Sequence, residues 1–173
     1  MDQPLYFNNY QMFPLDLWRW PNFSPPEMAC RGTGKLRINP HAMDMLQVLR
    51  DSLAKPIYIT SAYRSPEHNA AVKGAKNSQH MSGIAFDCAL SNHDPLVFEI
   101  KAREAGFTGI AYYPEDGFMH IDTGPERTWG APLPSAGPNP SPAPTQTAEP
   151  EQTNNGGATG REQPPKLKNK RRR

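Results

Sequence analysis

The stretch SQHMSGIAFD at residues 78–87 joins a polar loop, which contains His80, to an apolar strand, which contains Asp87. The apolar run at 84–90 predicts a buried strand. Alanines two residues before and after the acid share its face and leave room beside its carboxylate. A lone carboxylate is costly to bury, and either a divalent metal ion or an arginine would supply the partner that Asp87 needs.

A second stretch, GFMHIDTG at residues 117–124, places His120 and Asp122 two residues apart on a predicted strand. Side chains at i and i+2 project from the same face of a strand. Two neutral imidazoles and one carboxylate, with a fourth position left open, form a known type of catalytic zinc site. On spacing alone, His80, Asp87 and His120 are candidate zinc ligands, and hydrogen-bonded structural histidines are the alternative.

Capping residues and hydrophobic periodicity predict the elements around these two stretches. Asn39, Ser65 and Asp94 each precede a proline, so each is expected to begin a helix. Runs of apolar residues predict strands at IYIT, IAFDCAL, TGIAYY and FMHID, and PEDG predicts a turn between the last two. The resulting order α, β, α, β, α, β, β indicates an α+β fold in which helices pack on a small antiparallel sheet. The residues expected to face the core are Ala42, Met45, Leu46, Leu49 and Leu53 in the first helix, and Leu96, Val97 and Ile100 in the third.

Composition divides the 173-residue chain into an N-terminal arm at 1–21, a folded domain at 22–130 and a tail at 131–173. The tail holds 9 of the 20 prolines and little apolar surface, so we expect it to be disordered. Its last eight residues, KLKNKRRR, are strongly basic. Two interpretations stay open: attachment to an anionic wall, lipid or nucleic acid, or a solvated tail with no partner.

Other features exclude several classes of protein. No apolar run approaches the ~18 residues that span a bilayer, which excludes a membrane protein. The N-terminus lacks the pattern of a secretory signal, so we expect synthesis in the cytoplasm without a signal peptide. Cys30 and Cys88 are single and widely spaced, and we predict buried apolar roles for them rather than metal ligation. We expect the remaining histidines, His41, His68 and His93, to lie at the surface.

Three ordered motifs carry a resemblance to a known family. SAYRSPEHN at 61–69, the pattern SxHxxGxAxD at 78–87 and GFMHIDTG at 117–124 closely resemble the D-Ala-D-Ala carboxypeptidase-like zinc peptidases. This group cleaves peptidoglycan peptides and shares its fold with the hedgehog signalling domain and the vancomycin-resistance dipeptidases. The resemblance implies that Zn²⁺ is bound by His80, Asp87 and His120, and that Arg64 and Ser78 face the substrate.

The chain departs from the family pattern at the catalytic acid. Several members have Asp or Glu three residues before the last zinc histidine, where this chain has Gly117. Asp122 is our first candidate for the general base, because strand geometry puts it on the same face as His120. Its alternative role is to fix the tautomer of a ligand. Glu115 and Asp116, in the preceding turn, remain further candidates for the base.

The functional expectation is a zinc metallopeptidase that hydrolyses peptide bonds in the stem peptides of bacterial peptidoglycan, as a D-Ala-D-Ala carboxypeptidase or an endopeptidase. Arg64 would stabilise the oxyanion or clamp a substrate carboxylate, and Ser78 would hydrogen-bond the substrate. We expect a monomer that acts at the cell wall or periplasm, in phage-encoded lysis as an endolysin or in penetration of the host. The alternative is a catalytically impaired module that binds cell-wall peptides, which the missing acid favours.

Overall fold

The computed structural model describes residues 3–134, and every structural statement below concerns that part of the chain. Its elements follow in the order β1 (Leu5–Phe7), α1 (Pro25–Met28), β2 (Leu36–Ile38), α2 (Pro40–Leu53), β3 (Tyr58–Ser61), α3 (Pro66–Ala71), β4 (Ala85–Ala89), α4 (Pro95–Glu104), β5 (Gly109–Tyr113), β6 (Phe118–Asp122) and β7 (Arg127–Gly130). The predicted α+β class is confirmed. None of these helices has the length and apolar character that crossing a membrane requires.

A five-stranded sheet in the order β3-β4-β6-β5-β7 forms the centre of the fold. Its neighbouring strands are antiparallel except for β5 and β7, which run parallel. β5 and β6 form the predicted hairpin, and Gly117 takes a φ of +70° in its turn, a conformation that glycine adopts without strain. The parallel edge strand was not predicted. It arises because β6 ends beside the start of β5, and the chain then turns around that start and runs along the outer edge of β5 in the same direction.

The helices begin where local capping predicts. The side chains of Asn39, Ser65 and Asp94 each accept a hydrogen bond from the backbone N–H three residues later. A proline occupies the start of each helix, where its missing N–H costs nothing. These starts are therefore set by short-range interactions.

The core-facing residues of the two long helices agree with prediction only in part. In α4, Phe98 and Ala102 are buried, whereas Val97 and Ile100 are 49% and 48% exposed. The prediction for Val97 and Ile100 is wrong because α4 turns the larger Phe98 ring into the core. In that orientation of the helix, Val97 and Ile100 lie on the exposed side. The buried face of α2 comprises Pro40, Ala42, Met43, Leu46 and Leu49, with Met45 and Leu53 partly buried against it.

The expected N-terminal arm is part of the folded unit, which corrects the predicted boundary at residue 22. Phe13 and Trp20 lie in the same hydrophobic core as the helices. β1 pairs with β2, and the Trp20 Nε1–H donates to Asp44 in α2 at 2.8 Å. Aromatic side chains anchor this segment to the core. Hydrophobic periodicity could not predict this packing, because the segment has little regular secondary structure. From residue 135 onward, the predicted tail lies outside the described residues.

Candidate metal centre

His80, Asp87 and His120 converge on one point in the structure. His80 lies in the 3-10 turn Gln79–Ser82, which ends at Gly83 with a φ of +69°. Asp87 and His120 lie directly opposite each other on β4 and β6. The Asp87 Oδ1 atom is 2.8 Å from His120 Nδ1 and 3.2 Å from His80 Nε2, and the two ring nitrogens are 3.2 Å apart. The three residues form a cluster with one donor atom each.

In each imidazole, the outer ring nitrogen, which points away from the cluster, makes a hydrogen bond. That bond determines whether the inner nitrogen, which faces the cluster, carries a proton. His80 Nδ1 lies 2.7 Å from the carbonyl oxygen of Ala62. Because a carbonyl oxygen can only accept, Nδ1 carries the proton and Nε2 presents a lone pair to the cluster. His120 Nε2–H donates in the same way to the carboxylate of Asp122, at 2.8 Å, so its Nδ1 also presents a lone pair. Partners of this kind orient metal-binding histidines in general.

The donor set fits a zinc ion. Tetrahedral zinc with bonds of about 2.0–2.2 Å separates its ligand atoms by roughly 3.3–3.6 Å, and the three separations here are 2.8, 3.2 and 3.2 Å. Two lone pairs and a carboxylate oxygen that face each other repel unless a cation lies between them. Movements of a few tenths of an ångström would let these side chains hold Zn²⁺.

The charges around Asp87 favour its ionised form. Burial alone would raise the pKa of Asp87. With a proton on the inner nitrogen of either ring, the hydrogen bonds from His120 and His80 outweigh burial and hold that pKa well below its usual range. Arg64 Nη2 lies 3.6 Å from the other oxygen of Asp87. That guanidinium is also held by Ser61 Oγ at 3.2 Å and by Asn69 Oδ1 at 3.4 Å. Asp87 is therefore available as an anionic ligand.

Asp122 lies behind His120, away from the point where the three donors meet. It is completely buried and accepts hydrogen bonds from His120, from the Gly124 N–H at 2.8 Å and from Arg127 at 2.6 and 3.1 Å. Burial raises the pKa of Asp122. The hydrogen bonds with His120 and Arg127 lower this pKa by more than burial raises it, so the net shift is downward. This carboxylate is fully engaged by protein donors.

An open cleft of about 570 Å³ contains the cluster. Its lining combines polar and aromatic side chains. Its lining includes the predicted substrate residues Arg64 and Ser78, and also Asp116, whereas Glu115 and Asp122 are not among its lining residues. Other lining residues include the polar Asn77 and Gln79 and the aromatic Tyr113, Phe118 and Trp129.

Sequence reasoning missed several residues of this cleft, among them Arg127 and Trp129 on β7. These residues lie two positions apart in the short segment RTWG, which follows the GFMHIDTG motif. This i, i+2 pair was the available signal, since it predicts one shared face. The other histidines, His41, His68 and His93, lie outside the cluster.

The two cysteines are free and buried. Neither belongs to the His/Asp/His group. Burial raises the pKa of the Cys88 thiol well above its ordinary value, so this thiol stays neutral. Their predicted place in the apolar interior agrees with the structure.

Comparison with known proteins agrees with this geometry. The family model described as Peptidase M15 matches residues 21–122. The chain is 36% identical over 104 residues to the peptidoglycan L,D-endopeptidase MepK of Escherichia coli (strain K12). This alignment covers 53% of this chain and 54% of that protein. It is 35% identical over 91 residues to the zinc D-Ala-D-Ala carboxypeptidase of Streptomyces albus G, covering 50% of this chain and 36% of that protein. The chain spans about half the length, or less, of these curated relatives. It belongs to the peptidase M15 family.

Proposed function

We propose that this chain is a zinc-dependent peptidase that hydrolyses peptide bonds of bacterial peptidoglycan. The observation that carries the proposal is the convergence of His80, Asp87 and His120 within an open cleft. The names of the relatives, a peptidoglycan endopeptidase and a zinc carboxypeptidase, support the choice of substrate and metal.

Each ligand would contribute one atom, namely His80 Nε2, Asp87 Oδ1 and His120 Nδ1. Zinc in such a site supplies Lewis-acid activation of water and of the scissile carbonyl. The hydrogen bond of His80 to Ala62 and that of His120 to Asp122 hold both rings in the required tautomer. The protein therefore contributes an oriented donor set with a side open to the cleft.

Arg64 is the cleft residue best suited to meet negative charge on the substrate. Its contacts with Ser61, Asn69 and Asp87 keep the guanidinium beside the donor cluster. A guanidinium fixed there can hydrogen-bond an oxyanion as it forms. Ser78 lines the same cleft and can hydrogen-bond the peptide. We propose that both residues contact the substrate.

We assign the general base to Asp116 and give Asp122 a positioning role. Asp116 is exposed and lines the cleft, so its carboxylate can take a proton from attacking water and pass it to the leaving amine. Asp122 is buried behind His120 and engaged by Gly124 and Arg127. This arrangement favours the tautomer-fixing role over the base role that strand geometry suggested.

The metal assignment is tested with His80→Ala, and His41→Ala serves as the matched control because His41 is exposed at the start of α2. We expect the wild-type protein and the control to bind one zinc ion and to hydrolyse purified peptidoglycan, and a chelator to abolish the hydrolysis. His80→Ala should lose both properties. Retention of zinc and hydrolysis by His80→Ala would disprove the proposal.

The base assignment is tested with three isosteric variants. Asp116→Asn should lower kcat by about 10²–10⁴-fold while the zinc content stays at the wild-type level. Glu115→Gln, one residue away but outside the cleft lining, should be close to wild type. Near-normal turnover by Asp116→Asn, together with a large loss in Asp122→Asn at full zinc occupancy, would return the role to Asp122.

Mass spectrometry of the released fragments distinguishes the finer possibilities. Loss of a terminal D-alanine would identify a carboxypeptidase, and cleavage inside the stem or cross-link would identify an endopeptidase. A wild-type protein that binds zinc and peptidoglycan but releases nothing would be the binding module, the alternative that Gly117 at the acid position favours. Phage-encoded lysis or penetration, a monomeric state and contacts of the basic tail stay predictions.

A further inference from the structure

Two small residues on β5 let side chains of β7 reach β6. In the sheet register, Gly109 lies between Asp122 and Arg127. Ala111 lies in the same way between His120 and Trp129. These two rows of residues cross three neighbouring strands. A larger side chain on the middle strand would separate the outer pair in each row.

In the first row, Arg127 meets Asp122 over the bare backbone of Gly109. The two nitrogens Nη2 and Nη1 of Arg127 lie 2.6 and 3.1 Å from Asp122 Oδ2 and Oδ1. A Cβ atom on Gly109 would lie only 2.4 Å from the Asp122 carboxylate. The bidentate pair therefore requires glycine at this position, and it gives the buried Asp122 charge a fixed counter-charge.

In the second row, Trp129 packs against the candidate ligand His120 over Ala111. The two rings are 5.2 Å apart, centroid to centroid. The guanidinium of Arg127 lies 4.5 Å from the centre of the Trp129 ring, and the Trp129 Nε1–H donates to Tyr113 Oη at 2.8 Å. Trp129 thus contacts both His120 and the arginine that holds Asp122.

We infer that β7 is part of the metal centre and that Arg127 is a positioning residue, which acts through Asp122 to hold the His120 imidazole ready to bind Zn²⁺. The inference rests on the proposed zinc site. It extends that site beyond residue 122, where the family match ends. Arg127 itself binds no metal; it keeps the Asp122 carboxylate in the orientation that receives the His120 Nε2–H.

The test measures the Zn²⁺ affinity of the full-length, metal-free protein by competition with a chelating dye. Removing a hydrogen-bonding partner behind a metal ligand typically lowers affinity by 10–100-fold. We expect Asp122→Asn to show a loss in that range and Arg127→Met to show at least about a 10-fold loss. Arg127→Lys should lie between wild type and Arg127→Met, because lysine cannot form the bidentate pair.

Arg103→Met is the matched control. Arg103 also pairs with a carboxylate, that of Glu99, and it contacts β7 through Thr128 Oγ1 at 2.8 Å. It makes no contact with Asp122, so its removal should leave the Zn²⁺ affinity within about twofold of wild type. This control separates a specific effect at the metal centre from general loosening of β7.

A double variant decides whether Arg127 acts through Asp122. If it does, Arg127→Met added to Asp122→Asn should cause no further loss of affinity, because the carboxylate that it positions is already gone. Losses that multiply in the double variant would overturn the inference, as would wild-type affinity in Arg127→Met. If circular dichroism of the metal-free protein shows that Arg127→Met does not fold, Arg127→Lys replaces it in both the single and the double variant.

Failure of this inference is distinguishable from failure of the proposed function. If the wild-type protein binds no Zn²⁺, or if His80→Ala binds it equally well, the zinc site itself is disproved and the inference falls with it. If the wild type binds Zn²⁺ and His80→Ala does not, but Arg127→Met binds as the wild type does, only the role of β7 is refuted.

Discussion

Phe13→Ala tests whether the first 21 residues belong to the folded domain. Phe13 is 3% exposed, and its ring packs against Phe7 at 5.1 Å and Trp18 at 5.3 Å, centroid to centroid. Burial of the side chain contributes about 1.5–3 kcal/mol, and each aromatic pair adds about 0.5–1.5 kcal/mol. We therefore expect the free energy of unfolding to fall by about 3–5 kcal/mol, in line with phenylalanine truncations in other cores.

Urea unfolding followed by tryptophan fluorescence measures this loss. With a slope near 2 kcal/mol per M, a change of about 4 kcal/mol moves the midpoint by roughly 2 M. Leu15→Ala is the control from the same segment, since Leu15 is 72% exposed and its change should stay within about 0.5 kcal/mol. Equal midpoint shifts in the two variants would refute the reasoning, and residues 1–21 would then be an appendage.

Three further predictions concern the site and its surroundings. Gly109→Ala should destabilise the metal-free protein by about 1–3 kcal/mol in urea unfolding, because the new Cβ would crowd the Asp122 carboxylate; unchanged stability would contradict this packing. Arg64→Lys should lower kcat/KM by at least about tenfold while zinc content is preserved, because lysine lacks the planar fork; full activity would show that the fork is not needed. Neither Cys30 nor Cys88 should react with a thiol reagent in the native protein, since both are buried; rapid labelling of the folded protein would be evidence against this burial.

Local features of the chain were predictable because short-range interactions determine them. The three helix starts at Asn39, Ser65 and Asp94 follow from a capping side chain and a following proline. The β5–β6 hairpin follows from its turn residues, PEDG. The inward face of α4 was assigned incorrectly, because side chains at several helical positions are apolar and only packing against the sheet selects among them.

The candidate ligands were also identifiable from local patterns. An acid inside an apolar strand needs a partner wherever the strand lies, so Asp87 was conspicuous before any fold was known. His80 and His120 stood out through their spacing from Asp87 and Asp122. Their common meeting point depends on the register between β4 and β6, which a strand pattern alone does not specify.

The sequence by itself determined the fold class, the helix starts and a short set of chemically suited residues, because caps, turns and strand periodicity act over a few residues. Tertiary structure alone decided that Phe13 is core, that Asp122 lies behind His120 while Asp116 faces the cleft, and that Arg127 reaches Asp122 across Gly109. These relations depend on which strands are neighbours and in what register. That choice is made by the packing of the whole core, which no local stretch of the chain encodes.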